Sequence, residues 1–264
     1  MKKSRTFLKF ILIVSAVMFG LTILLLYFSA KRAENDQYIH IDTETMKLIQ
    51  LDPPKEGDPI AIVDTSLGEF RFVLYPEQSP EAVKNFTSLA ESGFYDNTYI
   101  YNAEEGVYAS AGCKQKNGEL PEGYDKSHEI IERELSQDLW PFKGAVCMLN
   151  TEKESTFKNK LMGGGKYFNG SRFALINSIE FTDELREQLR EVSGSKELGE
   201  AFIKNGGVPN FSQQMTVIGQ TYEGLDVIDA ITRVKTENDG HIKRPIEDLM
   251  INSIKIDKFK ADEK

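Results

Sequence analysis

The chain has 264 residues, 40% of them apolar, enough for one sizeable core plus accessory segments and too many for general disorder. A net charge of −9 argues against nucleic acid or an anionic lipid surface as its main contact. The two cysteines and three scattered histidines show no zinc-ligand spacing.

Residues 10–30, FILIVSAVMFGLTILLLYFSA, carry no charge and follow a basic tail, residues 1–9, containing Lys2, Lys3, Arg5 and Lys9. At ~1.5 Å per residue such a run is long enough to cross a hydrocarbon layer of about 30 Å. The competing reading, a cleaved signal peptide, has an apolar region of about 7–15 residues ending in a small-x-small site. Here the run is longer, and Lys31-Arg32 interrupts the nearest alanine pair. A single-pass anchor is therefore expected, with the N-terminus cytoplasmic and the C-terminal domain extracytoplasmic by the positive-inside tendency. Beyond the anchor, 28 basic residues face all 41 acidic ones, a charge of about −13.

Residues 31–57 read as a spacer ending in Asp52-Pro53-Pro54-Lys55-Glu56-Gly57, with strand-like character at Tyr38–Asp42. From Ile60 to Leu74 apolar residues alternate with polar ones around a Ser66-Leu67-Gly68 turn, which predicts a hairpin with one buried face. Ser79 then stands at an N-cap position before Pro80, and Ala82, Val83, Phe86, Leu89 and Ala90 recur at helical spacing until Gly93.

This stretch, G-E-F-x-F-x-L-Y-P-E-x-x-P-x-x-V-x-N-F-x-x-L-x-x-x-G-F-Y-D, resembles the opening of a cyclophilin-type peptidyl-prolyl isomerase. Family order continues as Gly144-Ala145-Val146-Cys147-Met148, Asn169-Gly170-Ser171-Arg172-Phe173, Thr216-Val217-Ile218-Gly219 and Glu223 to Ile231. The resemblance covers most of residues 58–258. It implies a mainly β fold: a closed eight-stranded antiparallel barrel capped by two helices, residues 79–92 and 223–232. To this the chain adds the N-terminal transmembrane helix, inserted loops at 115–143 and 151–168, a helical insertion at 178–206 and a tail at 259–264.

Within the first loop a helical turn is expected around Glu129–Leu135, and Trp140 is expected to pack the loop onto the barrel. The run Met162-Gly163-Gly164-Gly165-Lys166 lacks phosphate-loop spacing. Phe181–Val192 and Lys196–Lys204 read as charge-rich amphipathic helices, either plain surface or a docking face for a membrane-complex partner. Met250–Ile256 reads as a closing strand. Cys113 and Cys147 fall near neighbouring strands by resemblance, and either a bridge or two buried thiols fits.

Rotation about an X-Pro bond faces a barrier of ~18–20 kcal/mol because the amide carbon–nitrogen bond is partly double. The family lowers it with an arginine directed at the proline nitrogen, beside an apolar pocket, using no metal or cofactor. Carried over by resemblance, the arginine position falls on Asn102 and the histidine before it on Tyr101. The groove positions become Val107, Tyr108, Leu149, Ala174, Phe211 and Met215, with Ser110, Asn150 and Asn210 as polar members. Of the direct contacts only Asn150 is unchanged. Val107 and Ala174 imply a widened groove, with Tyr108 and Phe211 supplying aromatic surface. Arg172 stands where the family has a glutamine, so a guanidinium enters the groove region from an adjoining strand. It is read as a relocated catalytic group, as part of a remodelled groove, or as an arginine paired to a carboxylate.

Three functions fit this pattern. One is an anchored isomerase-like protein acting on Pro-containing or unfolded exported polypeptides, with catalysis weak or lost. The others are a non-catalytic peptide-binding module and a structural subunit of a membrane assembly.

Overall fold

The structure, a computed structural model, describes residues 18–27, 38–119, 131–152, 167–192 and 194–261. It divides into two units, Met1–Tyr38 with Glu152–Lys166, and Ile39–Thr151 with Tyr167–Lys264. In the first, residues 18–27 are helical, and their large apolar side chains are exposed, Phe19, Leu25 and Leu26 by more than 60%. Among the described residues no helix is long and apolar enough to cross a membrane; the rest of the expected 10–30 span lies outside them.

The second unit contains β1 (Pro59–Thr65), β2 (Gly68–Leu74), α1 (Pro80–Glu91), β3 (Thr98–Glu104), β4 (Tyr108–Cys113), β5 (Ile131–Glu132), β6 (Ala145–Glu152) and β7 (Tyr167–Ile176). These are followed by α2 (Asp183–Val192), α3 (Lys196–Asn205), β8 (Thr216–Glu223), α4 (Leu225–Thr232), β9 (Thr236–Asp239), β10 (Ile242–Pro245) and β11 (Met250–Lys258). Eight strands run in the order β4-β3-β11-β1-β2-β8-β6-β7, and β7 pairs back to β4, closing the expected barrel. Closure removes both sheet edges. The short β5 is added on β7, and β9 and β10 form a separate ribbon.

Alternation in the hairpin places Ala61, Val63, Phe70, Phe72 and Leu74 inside. The same core takes Ala82, Val83, Phe86 and Ala90 from α1, and Ile228 and Ile231 from α4, so the two helices cap one barrel interior. Its aromatic centre is Phe86, Tyr95 and Phe173, with ring centroids 5.2 to 5.8 Å apart. Truncating such a fully buried ring costs about 3–5 kcal/mol. Gly112, at φ 84°, lets β4 approach β7: a Cβ there would lie 2.6 Å from the Ser171 carbonyl oxygen.

Several local expectations are corrected. Tyr38–Asp42 is not a strand, because the Asp42 carboxylate folds the chain into a turn by accepting from Glu44 N and Thr45 Oγ1. From Ile39 onward the residues read as spacer belong to the folded unit. Ile41, Met46 and Leu48 pack beside Trp140, Phe142 and Phe202, and buried Gln50 donates to Trp140 O and Gln220 Oε1, both at 2.9 Å. Trp140 is 5% exposed, but it packs with Phe142, Leu198 and Phe202 in a cluster separate from the barrel core, where packing onto the barrel was expected. In the part of Glu129–Leu135 that is described, the expected helical turn is replaced by β5 and extended chain, because Ile131 and Glu132 pair with Asn169 and Phe168.

Ser79 does not cap α1 with its side chain; its hydroxyl donates to Val217 O. The cap comes from Glu134, whose carboxylate accepts from Ala82 N at 2.8 Å and Glu81 N at 3.2 Å. Helices α2 and α3 match the expected insertion, and Leu189, Leu198 and Phe202 join the Trp140 cluster. Cys113 and Cys147 are both buried free thiols.

Candidate functional site

The residues placed by resemblance come together on the outer wall where β3, β4, β7, β6 and the Pro209–Phe211 turn meet. Register sets this up: Ser110 pairs with Asn102 on one side and with Ala174 on the other. Val107, Tyr108, Leu149, Ala174, Phe211 and Met215 share one apolar cluster outside the barrel interior, together with Cys147, Ile176 and Val217. The Tyr108 and Phe211 rings meet edge to face, 5.5 Å between centroids.

Burial sorts the site into a backing layer and a face. Tyr101, Asn102, Ser110 and Ala174 are at most 5% exposed. Val107, Tyr108, Leu149, Asn150, Arg172, Phe211 and Met215 are half-buried, and Asn210 is exposed. The widening expected at Ala174 is therefore absent, because that side chain is fully covered. A small cavity of about 10 Å³ lies behind Phe211 and Met215, lined also by Leu139, Cys147, Gln213 and Val217, room for roughly one water.

Asn102 is engaged as a structural group. Its Oδ1 accepts from Lys243 N of β10 at 2.7 Å, and it hydrogen-bonds the Tyr108 phenol. A second tie, Lys243 Nζ to Glu104 at 2.8 Å, holds the same ribbon on β3. Arg172 is held differently. Its Nη1 donates to Gly118 O at 3.0 Å and its Nη2 to Thr151 Oγ1 at 3.1 Å. Both described partners of Arg172 are neutral oxygen acceptors. Five N–H donors on a guanidinium leave capacity beyond those two bonds.

Electrostatics follow from this layout. Burial pushes the Tyr101 phenol up to about 12, partly opposed by the Arg172 charge and a hydrogen bond with Ser110. Burial likewise raises Tyr108, with Glu104 adding to the rise, and raises the Cys113 and Cys147 thiols. Among the described residues no group of three His, Cys, Asp or Glu side chains is placed to hold a metal.

Asn150 is the start of a hydrogen-bonded chain not foreseen from the sequence. Its Nδ2 donates to Gln214 O, and its Oδ1 accepts from Asn169 Nδ2 at 2.7 Å. Asn169 Oδ1 accepts from Thr216 Oγ1 at 2.7 Å, and Thr216 Oγ1 accepts from Glu134 N at 2.9 Å. Asn169 stands in the Asn-Gly-Ser motif, which the structure places in strand β7, but Glu134 lies in the inserted loop and gives no sequence signal.

A closed eight-stranded barrel with two helical caps and a groove wall on its outside defines a class of protein, and comparison with known proteins specifies it. Residues 60–161 match the family model "Cyclophilin type peptidyl-prolyl cis-trans isomerase/CLD". A putative peptidyl-prolyl cis-trans isomerase of Staphylococcus saprophyticus is 27% identical over 208 residues, 78% of this chain and 96% of that one. A putative bifunctional phosphatase/peptidyl-prolyl cis-trans isomerase of Streptococcus pyogenes is 26% identical over 87% of this chain, matching 46% of its own length. The crystal structure of a Cryptosporidium parvum cyclophilin type peptidyl-prolyl cis-trans isomerase, in the presence of the dipeptide Ala-Pro, aligns at TM-score 0.50 and 19% identity. It covers 74% of this chain and 96% of that one. The chain is thus similar to cyclophilin-type peptidyl-prolyl isomerases, through the family model at residues 60–161 and through relatives that align over most of its length.

Proposed function

We propose that this protein binds Pro-containing extended segments of exported polypeptides at the β3-β4-β7-β6 wall and isomerises them slowly, with Arg172 as the charged donor. The observation that carries this reading is the half-buried Arg172 guanidinium, fixed by two uncharged oxygens near the Tyr101 phenol and two residues along β7 from Ala174 of the apolar cluster. A preoriented cation hydrogen-bonding the proline nitrogen stabilises it as conjugation is lost, and its worth rises in a partly dry site. The cluster offers an apolar surface for the proline ring, and Asn150 and Asn210 offer polar groups for the flanking backbone.

Asn102 does not take this role, since it is 4% exposed and its amide is already bonded. Loss of one strong donor costs about 10²–10³ in rate by analogy with oxyanion-hole deletions, which accounts for slow turnover. An isomerisation assay with Ala-Xaa-Pro-Phe peptides, varied at Xaa, tests the reading. Turnover that falls to the uncatalysed rate in Arg172→Ala supports it, and full activity in that variant removes Arg172 from the reaction.

The anchor belongs to the same proposal. The helical, uncharged and exposed residues 18–27 lie inside the longer apolar run at 10–30, behind a basic tail. An all-round apolar helix is stable in lipid and unstable in water. Retention of the full chain in the membrane pellet after alkaline carbonate extraction is expected; release into the supernatant contradicts the anchor.

A further inference from the structure

The polarity of the chain of hydrogen bonds ending at Asn150 is fixed at the Asn150 end, where Gln214 O can only accept and so turns the Asn150 NH2 toward itself and Oδ1 inward to Asn169. Gln214 O also accepts from Arg133 Nη1 at 3.3 Å. With its NH2 on Asn150, Asn169 points Oδ1 at Thr216, whose hydroxyl gives it its proton. At the far end the Thr216 oxygen accepts from Glu134 N, a backbone N–H that can only donate. Asn169 and Thr216 are both fully buried, so water does not compete for these bonds.

We infer that Thr216 and Asn169 are positioning residues: they hold Asn150 as a hydrogen-bond donor toward the groove, its second N–H serving a backbone carbonyl oxygen of the bound polypeptide. The inference rests on the peptide-binding reading of the groove. Glu134 closes the far end twice over, with its N–H on Thr216 and its carboxylate on the α1 N-terminus, so the loop at 133–134 and the orientation of Asn150 are one connected arrangement. Reversing the Asn150–Asn169 link would set Asn150 Oδ1 against Gln214 O, two acceptors face to face, which costs more than the bond itself.

The test is a set of full-length variants in detergent, titrated with an Ala-Xaa-Pro-Phe peptide and melted in parallel. Thr216→Val removes the hydroxyl that donates to Asn169 Oδ1, Thr216→Ser keeps it, and Asn169→Asp replaces the donor to Asn150 with an acceptor. Thr216→Val and Asn169→Asp are expected to weaken peptide binding about 3- to 10-fold, the worth of one hydrogen bond, with Thr216→Ser close to wild type. In an Asn150→Ala background, Thr216→Val should cause no further loss. Equal loss in both backgrounds, or a lower melting temperature with unchanged affinity, overturns the inference. If the wild type binds no peptide, the functional reading fails separately. Amide ¹⁵N–¹H resonances then decide the orientation alone: a hydrogen-bonded Asn169 NH2 supports it, and an Asn169 NH2 free of Asn150 refutes it.

Discussion

Asn102 Oδ1 accepts a 2.7 Å hydrogen bond from the backbone N–H of Lys243, tying barrel strand β3 to the β9–β10 ribbon. The position that family resemblance assigns to a catalytic arginine thus carries a structural amide.

Replacing it should therefore cost stability. Asn102→Ala leaves Lys243 N–H without its acceptor, and a loss of about 1–3 kcal/mol in unfolding free energy is expected by denaturant titration. Asn102→Arg should also destabilise, because a guanidinium cannot accept that bond and the site is 4% exposed. An Asn102→Arg protein of wild-type stability would show that the ribbon does not depend on this contact.

The buried Tyr101 phenol gives a pH signature. Its pKa is raised from 10.0 to about 12, chiefly by burial. Between those values the unfolded state loses its proton first, so the folded state holds more protons and stability falls as pH rises. The contribution is fully present below pH 10 and lost by about pH 12, on the order of 2 kcal/mol. Tyr101→Phe should therefore lose less stability than wild type between pH 9 and 12. Parallel curves for the two proteins would contradict the assignment.

Cys113 and Cys147 are 1% and 0% exposed, and burial raises both thiol pKa values. Both should resist a thiol reagent in the native protein and react rapidly in denaturant, giving two thiols per chain without a reductant. Fewer than two would reveal a bridge.

The barrel was legible because its signals are periodic: Phe70, Phe72 and Leu74 alternate, and Val83, Phe86 and Ala90 repeat at helical spacing. The groove was legible only by resemblance, since Val107, Leu149, Ala174 and Phe211 lie far apart in the chain and meet through strand register. Long-range polar pairings left no trace. Glu134 capping α1, Gln50 reaching Trp140 and Thr216 ordering Asn169 each join distant segments, and an isolated polar residue in a sequence does not announce its partner. Tyr38–Asp42 was misread because a local Asp42 turn overrode its strand-like composition.

The account turns on whether a guanidinium from β7 performs the work at this groove, and the most direct measurement compares prolyl isomerisation by wild type, Arg172→Ala and Asn102→Ala on one peptide panel. Activity that disappears in Arg172→Ala and survives in whatever fraction of Asn102→Ala remains folded is the predicted result. Unchanged activity in folded Arg172→Ala would contradict it.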